Sequence, residues 1–148
     1  MVRRTLVAVA CLAALVGLTP LAAAQAPEDA AQSAAESWLA GVDGGDYAGS
    51  WNGAAKALQS AVNQATWAQA LGAQRGPLGA LKSRSVKSRQ LTDKPPVTRT
   101  VGGKVYTWGA GQYVVLQYDS AFAGRSASET VVVMADGGGW RVASYSVH

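Results

Sequence analysis

The stretch ETVVVMADGGGWRVASYSVH, residues 129–148, narrows the possible folds more than any other part of the chain. Thr130 to Ala135 is an apolar run. Asp136-Gly137-Gly138-Gly139 supplies residues that accept positive φ, and the run from Trp140 to Val147 alternates in polarity. Two antiparallel strands joined by a tight turn satisfy that pattern. The first run is so apolar that it is expected at the centre of a sheet, buried on both faces. Just upstream, Gln112 to Phe122 reads as a third strand. Val114, Leu116, Tyr118 and Phe122 should share one face, with Tyr113, Val115, Gln117 and Asp119 on the other. A few strands of this kind need something to cover them.

The preceding half of the chain supplies helices. Glu28 to Val42 places Ala31, Ala34 or Ala35, Trp38, Leu39 and Val42 on one face, and Gly44-Gly45 stops the helix. Asp46 is a candidate N-cap for a short helix through Trp51. Ala54 to Gln64 is a third helical stretch. Thr66 with Gln69 reads as the capping box of a fourth, ended by Gly76-Pro77. From Leu81 the pattern turns polar and alternating, which predicts a half-exposed strand over Ser83 to Leu91. Pro95-Pro96 interrupts it. A two-strand ribbon, Val97–Val101 and Lys104–Trp108 about a Gly102-Gly103 turn, follows. Helices first and an antiparallel sheet afterwards make an α+β fold with about four to six strands.

The first residues read as an export leader. Arg3 and Arg4 precede an apolar segment, Thr5 to Leu18, too short for an ordinary membrane span. Ala22-Ala23-Ala24 suits cleavage after Ala24, with an uncleaved anchor as the alternative. The single cysteine, Cys11, lies in this segment in a poor context for acylation, so the mature chain is expected to have neither disulfide nor thiolate ligand. Removing 24 of the 148 residues leaves 124, a single-domain length. Removing Arg3 and Arg4 lowers the basic count from 13 to 11 against 9 acids, a net charge of +2. That is no nucleic-acid footprint. A periplasmic or secreted protein is expected, not an integral membrane protein after cleavage.

Four segments together, AESWLAGVDGGDYAGSW, TWAQALGAQRGPLGALKSR, QYVVLQYDSAFA and the closing ETVVVMADGGGWRVASYSVH, resemble the domain of unknown function 4019 family of exported bacterial proteins. The resemblance covers most of the mature chain in order. The stretch from Lys94 to Gly111 departs from it, so the ribbon, about 95–111, looks like an insertion. The resemblance carries no activity and no catalytic residues. The layout is also similar to the nuclear-transport-factor-2-like cone, in which helices close one side of a curved sheet; that likeness concerns the fold alone.

Chemistry-bearing residues are sparse. The one histidine, His148, is the last residue, with no fixed surroundings to orient it as a base. Zinc and copper lack ligands, and no cofactor is implied. Asp43 and Asp46 could pair on calcium, but a helix stop followed by an N-cap explains them as well. If the sheet curves into a cone, Trp38, Trp51, Trp67, Leu116, Tyr118 and Tyr145 are candidates to line a pocket, together with Met134. The same tryptophans also suit a core. Asp119 could serve there as a general base, with Tyr118 or Tyr145 donating to an oxyanion, as in an isomerase or hydratase. The competing reading puts Asp119 at the sheet rim, ion-paired with Arg125 or Arg141. Trp108 is expected to be exposed beside Tyr106, able to stack on a sugar or dock a partner. Seven of the eleven mature positive charges lie between Lys82 and Lys104, including Arg84, Lys87 and Arg89. They could meet an anionic envelope surface or form a solvated face. Three function classes follow: a non-enzymatic envelope module binding a small apolar ligand or a protein, a small enzyme built on Asp119, and a surface binder working through residues 82–104.

Overall fold

The structure is a computed structural model. It describes residues 24–96, 98–99, 105–106 and 108–148, with only the backbone of 98–99 and 105–106. Residues 1–23, where the export leader is expected, and most of the expected ribbon lie outside the described residues.

Four helices precede the sheet. α1 (Pro27–Asp43) has Pro in its first turn beside Glu28 and Asp29, which complement the helix dipole. It buries Ala31, Ala35, Trp38, Leu39 and Val42, the face expected from their spacing. α2 (Tyr47–Asn52) is capped by Asp46, whose Oδ1 accepts from the Gly49 N–H at 2.8 Å. α3 (Lys56–Ala61) is shorter than the periodicity suggested. α4 (Gln64–Arg75) starts earlier than expected. Its cap is Asn63, whose Oδ1 accepts from the Thr66 N–H at 2.8 Å, so Thr66 lies inside the helix and the Thr66–Gln69 box does not form. A 3₁₀ turn, Gly76–Leu78, leads into the sheet.

The strands β1 (Leu81–Thr92), β4 (Tyr113–Phe122), β5 (Ser126–Asp136) and β6 (Gly139–Val147) form one antiparallel sheet in the order β1-β4-β5-β6. β2 (Thr98–Arg99) and β3 (Val105–Tyr106) pair separately, the described part of the ribbon. β5 is interior, as its apolar run required, and Val131, Val132 and Val133 are fully buried. Ala135, at the end of that run, is exposed.

Parity sorts the two faces. Val114, Leu116 and Tyr118 of β4 join Val131, Val133 and Tyr145 in a core shared with α1, α2, α3 and α4. The outer face carries a smaller cluster of Ala55, Trp108, Tyr113, Val132 and Ala143. Both edges differ from what a bare sheet would show. At β6 the Ala55 N–H donates to the Val142 carbonyl at 2.8 Å, beside an irregularity opposite Val132 and Val133. At β1 the register slips at Leu81/Ser83 and at Val86/Ser88, so Lys82 and Lys87 are the extra residues. A lysine at each bulge makes a poor template for another strand. Among the described residues no helix is long and apolar enough to cross a membrane. Helices on one face of an open four-stranded sheet are compatible with the cone layout.

Candidate functional site

Six elements meet at a closed set of charges. Asp43 is the last residue of α1 and Arg75 the last of α4, while Arg84 lies on β1 and Glu129 on β5. The register brings them together: Arg84 stands opposite Ser120, Tyr118 opposite Glu129, and Val131 opposite Tyr145. The Glu129 side chain is fully buried, with 0% exposure. Its Oε1 accepts from Arg75 Nη1 at 3.2 Å, Arg84 Nη2 at 3.1 Å and the Tyr145 hydroxyl at 2.5 Å. Its Oε2 accepts from Arg84 Nε at 2.7 Å and the Ser120 hydroxyl at 2.5 Å. Asp43 closes the ring, taking Arg75 Nη2 at 2.5 Å and Arg84 Nη1 at 2.7 Å. Two positive and two negative charges therefore alternate.

The guanidinium groups are also held from their faces. Arg75 lies 4.5 Å from the Phe122 ring centroid and Arg84 6.0 Å from that of Tyr118. Burial acts to lower the Arg84 pKa, but its hydrogen bonds and charge pairing with Asp43 and Glu129 together outweigh that and raise it above the ordinary value. Burial, then the charge of Glu129, raises the Tyr145 phenol above its ordinary value of 10.0. Burial, then the charge of Glu36, raises Tyr118 likewise. The buried Tyr118 hydroxyl has no hydrogen-bond partner among the described residues.

Those two phenols set an alkaline limit. Their folded pKa values are raised, so the unfolded chain gives up these protons first. The contribution is complete below about pH 10 and is lost as pH rises toward the folded pKa, by at most roughly 1.4 kcal/mol per pH unit for each phenol. Urea denaturation between about pH 9 and 11 is expected to show stability falling above pH 10. Tyr145→Phe should flatten that slope; an unchanged slope would refute the assignment.

Glu129 has no lone pair left to receive a proton from a ligand, and none of Asp43, Arg75, Arg84, Glu129 and Tyr145 lines any of four surface clefts. The arrangement acts as a pin through six elements.

The residues singled out from the sequence are placed as follows. Asp119 is on the outer face with a half-exposed side chain, paired at 3.5 Å with Lys87 and not with Arg125 or Arg141. Tyr118 and Tyr145 are on the helix face, so the structure does not bring Asp119 together with either. Trp38, Trp67, Leu116, Tyr118 and Tyr145 are in the main core, with Trp51 packed against it. Trp38 lies 6.3 Å from Trp67 and 5.5 Å from Tyr145, ring to ring. None of these six lines any of the four clefts. Met134 packs at the outer cluster instead.

Trp108 departs from expectation: it is buried, stacked on Tyr113 at 6.0 Å, because the chain between the ribbon and β4 folds over apolar outer-face residues. The Tyr106 side chain lies outside the described residues. Of the basic set, Arg84 is in the pin, Lys87 is on Asp119, and Arg89 bonds Asp29 and Gln32 of α1. Asp43 and Asp46 serve separate structural ends. His148 is held more firmly than its position suggested, exchanging both backbone bonds with Ser128 at 2.9 and 3.1 Å. It lines an open trough of about 450 Å³ with Asp119, Ser83, Ser126 and Ser128.

Sequence reasoning missed Glu129 and Arg75. An acid at the head of an apolar run was the one available signal for Glu129. Arg75, beside a helix stop, offered none, because nothing local shows that two residues 54 positions apart will touch.

No curated protein and no solved structure matches the chain. A family model described as protein of unknown function (DUF4019) matches residues 34–145, a stretch that contains all four charged residues of the pin, and the chain belongs to that family.

Proposed function

We propose that the protein is an exported binding module of the cell envelope, not a catalyst, and that it meets its ligand on its surface. Export rests on the leader-like residues 1–24. The binding reading is carried by one observation: the aromatic side chains that could have lined an interior pocket pack on one another and on the helices. The acid that could have served as a base is on the opposite face from the tyrosines it would need. The open polar clefts are instead at the sheet surface and its turn end. Such clefts suit recognition, since they gather polar groups without excluding water from a reacting centre.

Co-sedimentation tests this with two probes, purified cell-wall sacculi and phosphatidylglycerol–phosphatidylethanolamine vesicles. The protein is expected to pellet with one of them; remaining in the supernatant with both would overturn the reading. The apolar dye anilinonaphthalene sulfonate should stay dark with the folded protein. Brightening would point back to an interior site.

A further inference from the structure

We propose that the β5–β6 turn carries a saccharide site with Trp140 as its platform. This rests on the surface-binding reading and names the ligand. Two clefts flank the turn and share Asp136 and Gly137. One, of about 300 Å³, is lined by Gln112, Ala135, Asp136 and Trp140 with the turn glycines. The other, of about 330 Å³, is lined by Asn52, Lys56, Gln59, Asp136 and Arg141 among others. Each is at the small end for a ligand site, room for about one ring apiece.

The turn is built to keep this end open. Gly137 and Gly138 have φ of 62° and 82°, and Asp136 stands opposite Gly139, a two-residue hairpin loop of the primed kind. No turn side chain intrudes. Trp140 is half-buried, packed against the core on one side, with part of its remaining surface lining the cleft.

The polar groups are anchored at one end and free at the other. Asp136 Oδ2 accepts from the Lys56 N–H at 2.8 Å, which leaves Oδ1 without a protein donor among the described residues. The Gln112 carbonyl accepts from the Ala135 N–H at 3.1 Å, fixing the backbone under a side-chain amide that makes no bond among the described residues. Gln59 Nε2 donates to the Trp51 and Asn52 carbonyls at 3.0 and 3.1 Å, leaving its Oε1 open among the described residues. Asn52 Oδ1 accepts from Gln64 at 3.0 Å, leaving its NH₂ open among the described residues.

An aromatic surface suits the C–H patch of a pyranose. A carboxylate oxygen takes hydroxyl protons, and amides supply both donor and acceptor. Other ligands fit worse. A calcium ion would find one carboxylate, already half engaged. An apolar ligand would desolvate Asp136 and the amides without replacing their hydrogen bonds.

Titration of the ¹⁵N-labelled protein with cellobiose and with N,N′-diacetylchitobiose, up to about 50 mM, tests the site at the weak affinity expected for so few contacts. Either sugar should shift the Trp140 indole and the amides of Gly137 to Gly139, with a Kd on the order of millimolar. Gln112→Ala should weaken binding at least about fivefold while leaving the Tm unchanged, since it removes only an exposed amide. Trp140→Phe should weaken it with the fold intact. Absent shifts, or shifts confined to the Asp119 trough, overturn the site. If the protein still pellets with sacculi in that case, the saccharide site is wrong and the surface-binding reading survives; if it pellets with neither probe, both fall.

Discussion

Glu129→Ala is expected to cost about 3–5 kcal/mol, the range for removing one partner from a buried ion pair. The substitution leaves Arg75 and Arg84, whose side chains are only 4% and 12% exposed, to share Asp43 alone, and leaves the Tyr145 and Ser120 hydroxyls without their acceptor. A domain of this size has a total stability of roughly 5–15 kcal/mol, so the loss is a large share of it. Calorimetry should show Tm falling by about 10–20 °C. The reason is asymmetry: the pin gives little net stability compared with an apolar core, but two buried guanidinium groups left with one carboxylate between them carry an uncompensated charge, which is very costly. The double variant Glu129→Leu with Arg84→Met should therefore lose less than the sum of its single changes, because it removes charges in opposite pairs. A loss below about 1 kcal/mol for Glu129→Ala would mean that water reaches the two arginines and that the pin is not closed.

Trp67→Ala is expected to cost about 3–5 kcal/mol, the range for deleting a buried aromatic side chain. Trp67 is 1% exposed, tilted against Trp38, and its Nε1 donates to the Ser50 hydroxyl at 3.0 Å. The lost ring opens a void where α4 meets α1 and α2, beside Trp38, and leaves the Ser50 hydroxyl without its indole donor. Urea denaturation measures the loss. The result discriminates between two roles for the same residue. A tryptophan lining a ligand pocket would be replaced at small cost to folding and large cost to binding; a core tryptophan gives the reverse. A change below about 1 kcal/mol would restore Trp67 as a pocket residue.

Much of the fold was legible because it rests on local periodicity. The spacing of Ala31, Ala35, Trp38, Leu39 and Val42 defined the buried face of α1. Alternation along Tyr113–Phe122 assigned both faces of β4. Asp136 and the glycines after it marked the β5–β6 turn. Asn63 and Thr66 both suit an N-cap, and only the path of the preceding chain chose Asn63. Trp108 looked exposed because it falls on the inserted ribbon. Its neighbours in space, Tyr113 and Val132 among them, are apolar.

By itself, then, the sequence determined the α+β order, the buried middle of β5, the aromatic anchors and the hairpin turn, since each follows from residues within a few positions of one another. The tertiary structure alone decided that Glu129, Arg75, Arg84 and Asp43 close into one ring, that Asp119 is parted from Tyr118 and Tyr145 by the sheet, and that Trp140 borders an open cleft while Trp108 is covered. Those outcomes depend on strand register and on where helix ends land. Both are set by the packing of the whole chain, because shifting a strand by one residue exchanges its two faces.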